Sequence, residues 1–179
     1  MDKKTPSGLT LLYLGKGKGK TTAAVGVAVR ARGWGKRVFF LQFVKEERWP
    51  SGERAMLKKL GVDVWVLGKG FVKILNDTKP FIVHKRAAQQ ALQAAMRAVR
   101  SNAYDVVILD EAISAIESEL FSQTALIKLM KAKRPSLHLV LTGHTNYPRI
   151  NKLADLVTDM RKVKHPYDEG RLAEKGIDY

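Results

Sequence analysis

The sequence has no cysteine, which excludes a disulfide framework, a thiolate nucleophile and a Cys-ligated metal site. It has no run approaching the ~20 consecutive apolar residues that a membrane-spanning helix needs. Its start, Met1-Asp2-Lys3-Lys4-Thr5-Pro6, lacks the apolar centre of a signal peptide, so a cytoplasmic location is expected. Acidic residues are scarce: 17 Asp and Glu face 32 Lys and Arg, for a net charge of +15. The surplus is one-sided, because residues 1–50 carry +8 and residues 51–100 carry +7, while the remainder is balanced. Such a distribution fits a polyanionic ligand, an acidic protein partner or nucleic acid, and equally a solubilising surface. No aromatic-rich basic strand or DNA-reading helix accompanies it, which argues against nucleic acid.

At 179 residues and 45% hydrophobic composition, the chain is long enough to bury a proper core. No repeat, low-complexity linker or composition break divides it, and a single domain over residues 1–179 is expected. Apolar runs at 9–14, 37–43, 62–67, 105–109 and 137–142 read as strands, with a sixth over 155–164. Between them, helical patterns run over 21–32, 52–60 and 84–100, and from Ser122 to just before Arg134-Pro135. Strands this apolar are buried on both faces, which alternation with helices supplies. The predicted fold is therefore α/β, a P-loop NTPase-like parallel sheet of about six strands with helices on both faces. The stretch 68–80 is the one long irregular segment, and loops of that length are often functional.

Gly15-Lys16-Gly17-Lys18-Gly19-Lys20-Thr21-Thr22 stands where the first strand ends and the first helix begins. Three glycines let the backbone turn so that N–H groups face an anion, and the helix N-terminus adds partial positive charge. Lys20 would bridge terminal phosphates and the Thr21 hydroxyl would bind Mg²⁺, making them the expected catalytic pair. The spacing is short by one: Leu14 holds the slot of the first glycine, and Gly15 to Gly19 encloses three residues where the strict motif has four. A second strand ends in two acids, Asp110 and Glu111, where a metal-binding carboxylate belongs in such a site. Spacing does not choose between them.

With its shortened loop followed by Thr-Thr-Ala-Ala, the chain resembles the P-loop class of ATP:corrinoid adenosyltransferases. The likeness runs on through Gln42-Phe43-Val44-Lys45, Ser51-Gly52-Glu53-Arg54, Gly70-Phe71, Leu109-Asp110-Glu111 and Thr142-Gly143. It continues to the tail, in Val163-Lys164-His165-Pro166 and Lys175-Gly176-Ile177-Asp178-Tyr179. The resemblance implies that Co(I) of a reduced corrinoid attacks the 5′ carbon of ATP and expels triphosphate, with Mg²⁺, or Mn²⁺ in its place, as the metal. It implies that the triphosphate lies in the loop in reverse compared with ordinary NTPases, exposing the ribose carbon. It also implies a homodimer, a separate electron-donor protein, and a corrinoid loop containing Phe71 and Lys73. Because the nucleophile belongs to the substrate, no Ser/His/Asp or Cys/His constellation is required.

Three matched positions depart from the family pattern. Lys16 replaces the usual Asn, Lys73 replaces an aromatic that works with Phe71 in displacing the lower cobalt ligand, and His144 replaces an Arg. Lys16 and His144 are candidate nucleotide contacts. Two other readings stay open on sequence alone: a P-loop ATPase acting on nucleic acid, and a nucleotide-binding relative that has lost the transfer activity. The basic surplus is also expected to supply a docking face for an acidic electron donor, with Lys69, Lys73 and Lys79 flanking the corrinoid loop.

Overall fold

The computed structural model describes residues 7–72, 74 and 77–179. Strands β1 (Thr10–Leu14), β2 (Val38–Glu46), β3 (Asp63–Gly68), β4 (Val106–Asp110), β5 (His138–Thr142) and β6 (Leu156–Asp159) form one parallel sheet. Their order is β3-β2-β4-β5-β1-β6. The helices are α1 (Lys20–Gly33), α2 (Gly52–Lys59), α3 (Phe81–Arg100), α4 (Ala112–Glu117), α5 (Gln123–Lys131) and α6 (Pro148–Asn151).

Alternation along the strands sends successive side chains to opposite faces, and each face has its own helical cover. On one face Val38, Phe40, Ile108 and Val140 pack with Ala24 and Ala28 of α1 and Leu57 of α2. On the other, Phe39, Leu41, Val107, Leu109 and Leu139 pack with α3, α4 and α5. This explains why β2 is an unbroken apolar run: its first seven residues are all buried. Phe40 is fully enclosed, and truncating it to Ala would cost ~3–5 kcal/mol. The expected α/β architecture, with six parallel strands and helices on both faces, is what forms.

Four local differences have physical causes. Helix α3 begins at Phe81, three residues before the amphipathic pattern starts, because Pro80 opens it and Phe81 and Ile82 stay exposed. Helices α4 and α6 are six and four residues long, too short to show a period. Strand β6 is four residues, not the expected ten, and all four are exposed. It stops because Met160 turns in over the loop after β1, where its carbonyl accepts from Gly17 N–H at 2.7 Å.

Candidate active site

All six strands run parallel, so the loops after β1, β2, β3 and β4 share one edge of the sheet. The turn Gly15–Gly19 joins β1 to α1 there, with Gly15 at φ +107°. A Cβ on Gly15 would lie 2.2 Å from Asp159 Oδ1, and one on Gly17 would lie 2.5 Å from Met160 O, so side chains are excluded at both. Gly15 N–H donates to His144 O at 3.1 Å and Gly17 N–H to Met160 O at 2.7 Å. The expectation that the loop's N–H groups face an anion therefore fails at these two, which tie the loop to its neighbours. Lys16 and Thr22 are exposed. Lys20 is buried, and its ammonium donates to Gly15 O at 2.8 Å and Gly17 O at 2.7 Å. Burial lowers its pKa, opposed by the charges of Glu111, Asp110 and Glu117.

The two acids play different structural parts. Asp110 is fully buried, and its Oδ1 accepts from Thr21 Oγ1 at 3.0 Å and Thr142 Oγ1 at 2.9 Å. Its Oδ2 accepts from Gln42 Nε2 at 3.0 Å. Strand β5 lies between β1 and β4, so the carboxylate is not on the strand next to the loop. Thr21 reaches it from α1, and Thr142 at the end of β5 bridges the gap, also accepting from Glu111 N–H at 2.8 Å. Asp110 is thus the acid paired with Thr21. Glu111 sits at φ +60°, a strained conformation for a non-glycine residue. Burial and then the Asp110 charge raise its pKa, partly offset by the Ser114 hydroxyl, His144 and Lys20. Ser114 Oγ is 3.2 Å from His144 Nδ1, which is 3.5 Å from Glu117 Oε2.

A cleft of about 650 Å³ opens above this cluster, bordered by the loop, Lys45 and Glu53, and by the tail residues Ile177 to Tyr179. The tail is latched by an ion pair between Lys18 and Asp178, while Asp178 Oδ2 accepts from Glu174 N–H at 2.7 Å. Thr21, Lys20 and Glu111 line the cleft. Phe71 does not; it lies on the loop after β3 and stacks on Trp49. Lys73 lies outside the described residues.

Residues 6–179 match the family model described as ATP:corrinoid adenosyltransferase BtuR/CobO/CobP. The chain belongs to this family. It is 36% identical over 172 residues to the corrinoid adenosyltransferase of Escherichia coli strain K12, covering 96% of this chain and 86% of that one. The corrinoid adenosyltransferase CobA of Salmonella typhimurium strain LT2 shows the same identity and coverage. Among solved structures, the assembled ATPase EscN of the enteropathogenic E. coli type III secretion system is similar in fold, with a TM-score of 0.53 at 14% identity. That match covers 85% of this chain and 42% of the ATPase, so this adenosyltransferase-family chain spans less than half of its length.

Some site residues were not assigned a role by sequence reasoning. Gln42 and Thr142 hold Asp110, and each is a polar residue within or ending an otherwise apolar strand, a signal that was readable. Ser114 sits in a helix too short to predict, and Asp178 meets Lys18 across 160 residues, which no local pattern encodes.

Proposed function

We propose that this chain transfers the 5′-deoxyadenosyl group of ATP to the Co(I) centre of a corrinoid and releases triphosphate. The observation carrying this reading is the Thr21–Asp110 pair beside Lys20, in a cleft roomy enough for a nucleotide, in a chain of this family. The electron pair of cobalt forms a Co–C bond to the 5′ carbon as the C5′–O bond breaks. Triphosphate leaves with that oxygen, and cobalt passes formally from Co(I) to Co(III). The protein supplies no nucleophile; it holds the leaving group and aims the carbon.

Lys20 exchanges its two carbonyl contacts for the triphosphate and neutralises the leaving charge, helped by the N-terminus of α1. Lys16, Lys18, Thr22 and His144 are the further nucleotide contacts proposed. Thr21 and Asp110 are hard oxygen donors that suit Mg²⁺, and the described residues contain no larger acid or His cluster for a metal. Gln42 Oε1 and Glu111 Oε2 are buried acceptors without a hydrogen-bond partner among the described residues, which fits donors arriving as metal-bound water. Mg²⁺ held there would offset phosphate charge. Phe71 and Lys73 are the proposed corrinoid contacts.

Residues 1–179 are proposed to act as one domain in the cytoplasm; no helix among the described residues is long and apolar enough to cross a membrane. The exposed edge strand β6, with Leu156 44% and Val157 41% exposed, supports a homodimer. The basic surplus supports an acidic electron donor.

The test is an anaerobic assay with ATP, Mg²⁺ and chemically reduced cobalamin. Loss of the Co(I) spectrum with one triphosphate per cobalt is expected. Stoichiometric phosphate release would instead make the protein an ATPase, and nucleotide binding without turnover would make it an inactive relative.

A further inference from the structure

Two loops leave the same edge of the sheet side by side, one after β2 and one after β3. Trp49 in the first stacks on Phe71 in the second, with ring centroids 5.7 Å apart and planes 27° apart. The backbone that carries the indole is itself held. Arg54 in α2 is only 8% exposed, and its guanidinium donates to the carbonyls of Glu46 at 3.4 Å, Glu47 at 3.1 Å and Trp49. A buried cation that serves backbone carbonyls fixes the shape of the loop it grips. In the loop after β3, Gly70, at φ +98°, donates its N–H to Val44 O at 2.9 Å. A Cβ there would already be in contact with the indole, 3.5 Å from its ring carbons. Glu46 joins the two loops through Lys79 at 3.4 Å.

We infer that Trp49, clamped by Arg54, is the positioning residue that sets the Phe71 ring for the corrinoid. This rests on the reading that Phe71 meets the corrinoid. A corrinoid presents a broad macrocycle, and an aromatic ring on an unsupported loop would have to be ordered as it bound. Stacking on a pinned indole orders the ring beforehand. The sequence carries Lys73 where the family pairs an aromatic with Phe71, and Trp49 gives that ring an aromatic partner from a different loop.

The experiment measures kcat and the KM values for reduced cobalamin and ATP in Trp49→Ala, Trp49→Phe, Phe71→Ala and the Trp49→Ala/Phe71→Ala double variant. Trp49→Ala should raise the corrinoid KM about threefold to tenfold with the ATP KM unchanged. Trp49→Phe should stay near the parent, and the double variant should match Phe71→Ala alone, since Trp49 acts through that ring. If Trp49→Ala proves unstable, Trp49→Leu, which keeps an apolar filler, should show the same selective rise. An unchanged corrinoid KM in the Trp49 variants, with a raised one in Phe71→Ala, overturns the inference and leaves the corrinoid loop intact. So do fully additive effects in the double variant. If Phe71→Ala is also silent, the corrinoid assignment of this loop is at fault and the inference falls with it.

Discussion

Thr21 Oγ1 lies 3.0 Å from Asp110 Oδ1, although 89 residues separate them in the chain. The contact crosses β5, and the Thr142 hydroxyl from that strand meets the same oxygen at 2.9 Å. A buried carboxylate receiving three side-chain hydrogen bonds has its oxygens fixed in place before any ligand arrives, as a hard-metal site requires. Glu111, one residue on, shares none of these bonds.

That difference separates the two acids experimentally. Asp110→Asn should raise the Mg²⁺ concentration for half-maximal activity about tenfold or more, because a charged ligand is lost. Glu111→Gln, which loses only a charged acceptor for metal-bound water, should raise it far less than Asp110→Asn does. A magnesium titration of each variant checks this, and the reverse result would assign the metal to Glu111.

Lys20→Ala would remove the proposed charge-assisted phosphate contact while deleting only two bonds to loop carbonyls. ATP binding should weaken by ~1.5–3 kcal/mol with the fold retained. Calorimetric titration beside a circular-dichroism melt measures both. Parent-like ATP affinity would remove Lys20 from the site.

Gly17 and Gly26 make a matched pair. A Cβ on Gly17 would press on Met160 O at 2.5 Å and Arg161 O at 2.9 Å, displacing the segment that pins the loop. Gly17→Ala should therefore destabilise the protein by ~1–3 kcal/mol and weaken nucleotide binding. Gly26, inside α1, has nothing within 4 Å of a Cβ. Gly26→Ala should stabilise by ~0.5–1 kcal/mol through the helix propensity of alanine. Denaturant midpoints of the two variants should move in opposite directions.

The loop from β1 to α1 was legible because its signal is local: an apolar run, spaced glycines and a helix start lie within a few residues of one another. Which acid pairs with Thr21 was not, because it depends on β5 being inserted between β4 and β1, and strand order leaves no mark on spacing. The corrinoid contact proposed at Phe71 rests on family likeness alone. Its partner Trp49 was hidden because the contact joins two loops whose proximity the sheet creates. Strand β6 was overextended because residues 160–164 remain compatible with a strand, and only packing on Gly17 turns them away.

Arg37 and Asp105 tie the residue before β2 to the start of β4. The guanidinium lies 2.9 Å from Asp105 Oδ1, and Arg37 N–H donates to Oδ2 at 2.8 Å. Hydrogen bonds from the Arg37 side chain and then its backbone pull the carboxyl from its ordinary 3.8 down to about 2. A depressed carboxyl pKa gives stability that is present above the ordinary value and lost as pH falls through the lowered one. Asp105→Asn should therefore melt earlier than the parent at pH 7, and the gap should close between pH 3.8 and about 2. Melting curves across that range measure it, and a gap that stays constant to pH 2 would mean the ion pair contributes nothing.

The basic surplus on the loop after β3 divides into two kinds of lysine. Lys79 is half-buried, 3.4 Å from Glu46 Oε2 and 3.9 Å from Asp77 Oδ1, so it is an internal tie and not the docking cation expected of it. Lys69 is exposed on the same loop and is the docking cation proposed here. Rim charges act mainly on the rate of encounter and are screened by salt, whereas an internal tie acts on the loop whatever the electron source. Lys69→Glu should thus slow turnover driven by an acidic electron-transfer protein and flatten its salt dependence, while turnover with a small chemical reductant stays as in the parent. Lys79→Glu should slow both, because it places a carboxylate against Glu46 and loosens the two loops that it joins. Turnover with each reductant, measured across ionic strength for both variants, separates these outcomes. Equal losses with the two reductants in Lys69→Glu would show that Lys69 serves substrate binding, and the docking face would have to lie elsewhere on the basic half of the chain.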